Sequence, residues 1–250
     1  MKKIGFLLAV ALCALGAAGS SSAQEGPTCF SFDLGENVPA TVTGAGLING
    51  TPGDDVIVGS SGNDVINGLG GNDLICGGLG NDVIDGGSGN DTLFGDTSLS
   101  VQLGQNGGMN VPGGNDVLIG GSGTDSIVGE AGNDTIDAGN GDDFATGNVG
   151  ADTVSGGNGN DELFGGPGAD VLNGDNGNDL LIGTFGNDTL NGGAGDDLLD
   201  GDLPPQSEDP NAPPVLDPNP NFDICNGDGG NDTAFGCELV TSVETIIPAS

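Results

Sequence analysis

Between residues 111 and 200 one apolar position recurs every nine residues, with no insertion or deletion. It holds Leu118, Ile127, Ile136, Ala145, Val154, Leu163, Leu172, Leu181, Leu190 and Leu199. Numbered as position 8, it is flanked by outward positions 7 and 9. That is the out-in-out alternation of a short β-strand. Positions 1 to 6 are rich in Gly, Asn and Asp and must turn. Gly stands at position 4 and Asp at position 6 in all ten units, from Gly114 to Gly195 and from Asp116 to Asp197. A fixed period this short predicts a solenoid. Two units, 18 residues, would complete one coil, and the position-8 side chains of its two strands would meet in a thin dry core.

Five further units begin at Gly50, Gly59, Gly68, Gly77 and Gly86, and a last one opens at Gly227. Together 16 units cover 144 of 250 residues; Gly at position 1 fails only at Val111 and Ala138. The pattern G-G-x-G-x-D-x-U-x resembles the calcium-binding nonapeptide of RTX proteins, also called hemolysin-type repeats. The resemblance implies an all-β fold, a parallel β-roll (β-solenoid). Eight coils at about 4.8 Å per strand would make a rod of roughly 38 Å.

The rest of the chain falls around these blocks. Residues 1–23 read as a secretory signal peptide: Lys2 and Lys3 precede an apolar run, and Ser21-Ser22-Ala23 offers small residues for cleavage before Gln24. Residues 24–49 form an N-terminal cap, since terminal solenoid repeats need one. Block 1 spans 50–94, a Gly/Ser/Gln/Asn-rich loop spans 95–110, and block 2 spans 111–202. Residues 203–226 are a Pro/Asn/Asp-rich insertion of extended character. Residues 227–250 hold the final repeat and a C-terminal cap, in which Val240, Val243, Ile246 and Ile247 could form a capping strand.

Charge changes the picture. The chain has 37 acids and two bases, Lys2 and Lys3, for a net charge of -35, and it lacks His, Trp and Tyr. Loss of the signal peptide would bring the charge to about -37. Such a charge opposes compaction, and 53 glycines add backbone entropy to the cost of folding. Without counter-ions the expected state is disordered. Nucleic acid is excluded as a partner, because nothing is left to neutralise phosphates. Anionic membrane surfaces are disfavoured for the same reason, and no stretch beyond the signal could span a bilayer.

One aliphatic side chain per nine residues is a thin core, so a further stabiliser is required. A hard cation bound by carboxylates and carbonyls suits this composition. In the β-roll that this sequence resembles, each ion lies between turns of adjacent coils and takes the position-6 Asp together with backbone carbonyls. Carried over, the metal ligands would be Asp55, Asp64, Asp73, Asp82 and Asp91 in block 1. In block 2 they would be Asp116, Asp125, Asp134, Asp143, Asp152, Asp161, Asp170, Asp179, Asp188 and Asp197, with Asp232 in the last unit. Asp116 would share an ion with Asp134, and Asp125 with Asp143. One ion per such pair within each block gives about eleven calcium ions. Asn at position 5 reads as a turn former rather than a ligand. Zinc is excluded by the absence of His and by the cysteine spacing.

Four cysteines follow the signal: Cys29, Cys76, Cys225 and Cys237. An even number in an exported chain points to disulfides, with three possible connectivities. We favour Cys225–Cys237, bracketing the last unit, and Cys29–Cys76, pinning the cap to block 1. The outward positions are asymmetric. Val56, Val58, Leu74, Thr92 and Phe94 share one side of block 1, where a cap could pack, against Val65, Asn67, Val83 and Asp85 on the other. In block 2, Phe144, Phe164, Leu180, Ile182 and Leu198 oppose mainly Thr and Asn. That apolar side invites cover by residues 203–226 or by a partner.

These features describe a secreted calcium-binding protein whose β-roll folds on binding multiple ions and serves a structural or interaction role outside the cell. The alternative is an extracellular adhesin or carbohydrate-binding solenoid. A calcium-dependent hydrolase or lyase ranks last, because the repeats and caps fill the chain and only carboxylates remain as acid or base. We therefore read no enzyme, with calcium as partner beside a cell-surface or matrix polysaccharide or another protein.

Overall fold

A computed structural model describes residues 28–31, 36–96, 113–201, 223–237, 239–241 and 245–247. Residues 1–27, with the expected signal peptide, and most of the two expected insertions lie outside them. The fold is all-β. Successive units contribute strands alternately to two parallel sheets, one of ten strands and one of eleven. We call the sheet containing Val56–Val58 the first sheet and the one containing Val65–Asn67 the second. Position 8 pairs with position 8 two units on, as in Leu118↔Ile136 and Ile127↔Ala145. The side chains from both sheets form one continuous core from Ile48 to Ala234. Burying each larger one contributes about 1.5–3 kcal/mol.

The rod is longer than eight coils. Val42 and Ile48 already stack on Ile57 and Ile66, so coiling begins inside the expected cap. Val240 continues it past Cys225, and Ile246 past Ala234. Val243 lies outside the described residues.

The structure also draws the repeat boundaries differently. Gly95 and Asp96 stay in the coil: Thr92–Asp96 is a strand, with Gly78 paired to Asp96. The coil resumes at Gly113 and Gly114, whose N–H donates to both oxygens of Asp96 at 3.1 Å. Residues 95–96 are thus positions 1 and 2 of the unit that ends at Ile119, and Val111 was never its first residue. At the second insertion Ile224–Gly229 forms a strand beside Thr189–Ala194, and Cys225 pairs with Leu190 as a buried position-8 residue. A complete strand lies where the sequence suggested an excursion up to residue 226.

Glycine acts differently at different positions. Every non-glycine residue with positive φ among those described, Leu69, Glu130, Asn148, Asp175, Thr184 and Asp228, stands at position 2. Position 2 thus tolerates side chains in a left-handed backbone, whereas at position 4 positive φ is carried by glycine, as at Gly71 and Gly123. At position 1 the constraint is space. A β-carbon at Gly68 would lie 2.4 Å from Asp73 Oδ2 and 3.2 Å from Ile75 Cδ1.

Ala138 is the natural exception at position 1, and its own unit carries the small Ala145 at position 8, both fully buried. Ala145→Leu is therefore expected to overpack against Ala138 and cost about 1–3 kcal/mol. Adding Ala138→Gly should restore most of that stability. Denaturant melts of the two variants in saturating calcium measure this, and equal melts would exclude the pairing.

A satellite cluster lies outside the coil. Thr28–Ser31 and Glu36–Pro39 form an antiparallel hairpin. Cys29 packs with Val58, Cys76, Phe94 and Val128 and is bonded to Cys76. The second disulfide joins Cys225 to Cys237.

Candidate metal centre

The coil has two turn edges, and the sixteen sequence-predicted aspartates divide between them. Asp55, Asp73, Asp91, Asp125, Asp143, Asp161, Asp179, Asp197 and Asp232 line one edge. Asp64, Asp82, Asp116, Asp134, Asp152, Asp170 and Asp188 line the other. All are buried, none more than 7 % exposed. The 18-residue period places each directly above its counterpart. The main-chain N–H of one Asp donates to Oδ1 of the next, as Asp116 does to Asp134 and Asp125 to Asp143, both at 2.8 Å. Fifteen such bonds occur among the described residues.

The ladders cross both insertions unbroken. Asp82 bonds Asp116 and Asp91 bonds Asp125 across residues 97–112. Asp188 bonds Asp223 and Asp197 bonds Asp232 across the second insertion. Asp223 is a buried rung that sequence reasoning missed. Asn221 replaces the usual Gly at its position 4, which hid the unit. The run Asp223-Ile224-Cys225-Asn226-Gly227 still matches positions 6 to 9 and the following position 1. Asp96 was missed too, because Gly95-Asp96 is separated from its unit by the insertion.

Position 5 builds a second ladder in the opposite sense. Here the N–H of the later coil donates to the side-chain oxygen of the earlier one: Asn90 to Asn72 at 2.8 Å, Asn133 to Asn115 at 2.8 Å, and Asn178 to Asn160 at 3.0 Å. Asn at position 5 is an acceptor between coils as well as a turn former. Neighbouring coils are thus stitched by side chains pointing both ways along the rod.

Electrostatically the aspartate rows are frustrated. While Oδ1 is bonded, Oδ2 is buried without a hydrogen-bond partner in Asp73, Asp82, Asp91, Asp116, Asp125, Asp134, Asp143, Asp152, Asp161, Asp170, Asp179 and Asp197. Such an oxygen is costly to leave unsatisfied. Burial pushes Asp82, Asp134, Asp143, Asp170 and Asp179 up to about 7. The backbone hydrogen bond on each resists this, and carboxylates on neighbouring rungs add to it. Asp73, Asp116, Asp125 and Asp152 rise to about 6, again chiefly by burial. Asp96 reaches about 8 through burial and then the charge of Asp116.

What the rows lack is positive charge. Among the described residues no three carboxylate, thiolate or imidazole groups gather at one point, so a cation here must take most of its ligands from the backbone. Carbonyl oxygens are close at hand. A β-carbon at Gly174 would sit 2.4 Å from both Asp179 Oδ2 and the Gly192 carbonyl oxygen, a space that only glycine leaves open. Hard oxygen donors, carboxylate and carbonyl together, fit calcium rather than a softer metal.

A family model described as RTX calcium-binding nonapeptide repeat (4 copies) matches residues 49–84, 77–97, 113–145, 146–181 and 173–203. No curated protein matches the chain.

Proposed function

This chain belongs to the RTX calcium-binding nonapeptide repeat family, and from that premise we propose that it is an exported protein whose β-roll is assembled by calcium and acts outside the cell as a structural or interaction rod. The observation that carries this reading is the set of twelve aspartates named above, spread over both rows, whose Oδ2 is buried without a hydrogen-bond partner. Calcium would supply the countercharge that each row lacks. The position-6 aspartates and the turn carbonyls beside them would hold it. Two disulfides support an oxidising compartment. We assign no catalytic step to the chain.

The continuity of the ladders supports a higher stoichiometry than the blocks taken separately. One ion per bonded pair of rungs gives about fifteen sites instead of about eleven, because neither insertion interrupts a row. Calorimetric titration of the mature protein, with bound metal measured after dialysis, is the direct test. About fifteen ions per chain support the reading, and three or fewer would falsify it. Asp143→Ala should lower the count by about two, for the rungs on either side, and leave the remaining sites filled. An unchanged count would remove Asp143 from the ligand set.

A further inference from the structure

The outward residues of the first sheet form a stripe along the rod. At position 9 it runs Val58, Cys76, Phe94, Val128, Thr146, Phe164 and Ile182, each beside the next in register. The matching row of the second sheet is mostly Asn, Asp and Ser. The hairpin at 28–39 packs on the strands that carry Val58 and Cys76, and Phe94 and Val128 extend the same buried cluster. Beyond it Thr146 and Ile182 are buried, and the same face presents Phe144 and Phe164, both half-buried, with ring centroids 5.5 Å apart. Leu180 is half-buried there and Leu198 is 40 % exposed. Phe185, at the end of a strand of this sheet, is 54 % exposed.

We propose that this distal half of the stripe docks a partner polypeptide strand in which apolar side chains alternate with Lys or Arg. Two observations identify the occupant. The stripe is continuous with a face that a β-hairpin already covers, so its shape suits an extended segment. Exposed Asp142, Glu162 and Asp196 stand at the starts of the same strands, and the chain has no cation beyond Lys2 and Lys3 to answer them. A second copy of this chain would bring only like charge. A basic amphipathic strand satisfies both the apolar row and its acidic rim.

The test uses the full mature protein in excess calcium at physiological ionic strength, with folding and bound calcium verified for every variant. The probe is a short fluorescent peptide alternating Val and Lys, followed by anisotropy. Phe164→Ser with Leu180→Ser should weaken binding by about tenfold or more, since two apolar contacts are lost. Phe164→Leu should keep it. Val83→Ser with Val117→Ser, on the other sheet, should leave it unchanged. A Ser/Lys peptide of equal charge should bind about tenfold more weakly for the same reason. Equal binding of the Ser/Lys peptide, or indifference to the Phe164 and Leu180 changes, overturns the proposal in favour of unspecific charge attraction. Dimerisation abolished by those changes overturns it in favour of a second copy. Binding that emerges only after residues 203–216 are replaced by a Gly/Ser linker overturns it in favour of the chain's own insertion.

Discussion

Placed in EGTA at neutral pH, the chain is expected to lose most of its β-sheet ellipticity and expand, and to regain both when calcium is restored. The expectation follows from the rows of aspartates. Ionised, they leave buried oxygens facing like charges one rung away, with no His in the chain and no Lys or Arg beyond Lys2 and Lys3 to relieve them. The core cannot offset this, because it holds one position-8 side chain per nine residues. Metal binding and folding should therefore be one transition. Magnesium should substitute poorly, since it prefers a small octahedral shell and gives up water reluctantly. Circular dichroism with small-angle scattering across a calcium titration measures the effect. A compact, β-rich protein persisting in chelator would contradict it.

Acid should partly replace calcium. The folded-state values of about 6 to 7 for Asp73, Asp82, Asp116, Asp134 and Asp143 lie above the unfolded value near 4. Between those limits the native state binds more protons than the unfolded chain, so the stability of the metal-free fold falls as pH rises. The favourable contribution is present below about pH 4 and is lost on passing through about pH 6 to 7. In EGTA, lowering the pH from about 7.5 to about 5 should thus restore β-structure to the metal-free chain. With calcium the sign reverses: protons compete for the same oxygens, and apparent affinity should drop over the same interval. Melts at several pH values, with and without metal, check both limbs. A metal-free protein that becomes less structured on acidification would refute the assignment of these buried carboxylates as the source of instability.

Much of this was legible in the sequence. The period fixes which residues stack, so positions 6 and 8 announce the aspartate rows and the core before any coordinates are known. Pairing across the two insertions was not legible, because it depends on space rather than on contiguous phase. Counting backwards from Asp116 put Val111 and Pro112 at positions 1 and 2, although Gly95 and Asp96 occupy those places. Counting forwards from Asp197 lost Asp223, since Asn221 masks its unit. The position-5 ladder was hidden for another reason. Asn is a good turn residue on composition alone, and only the register reveals that its oxygen reaches the coil above. The tolerance of position 2 for Leu69 or Glu130 in a left-handed conformation has no sequence mark at all.

The insertion after Asp96 carries an architectural consequence. The chain departs between the second and third residues of a turn and returns to the same rung, and the hydrogen bonds of Asp82 and Asp91 to their successors keep the lengths found elsewhere. Each turn edge is thus a row of equivalent doorways. A foreign peptide grafted between positions 2 and 3 of any interior turn would hang from the rod without disturbing its internal spacing. Distances between such pendants would be set in steps of one coil, about 4.8 Å. The repeat is in this respect a ruler, on which recognition elements can be displayed at chosen intervals.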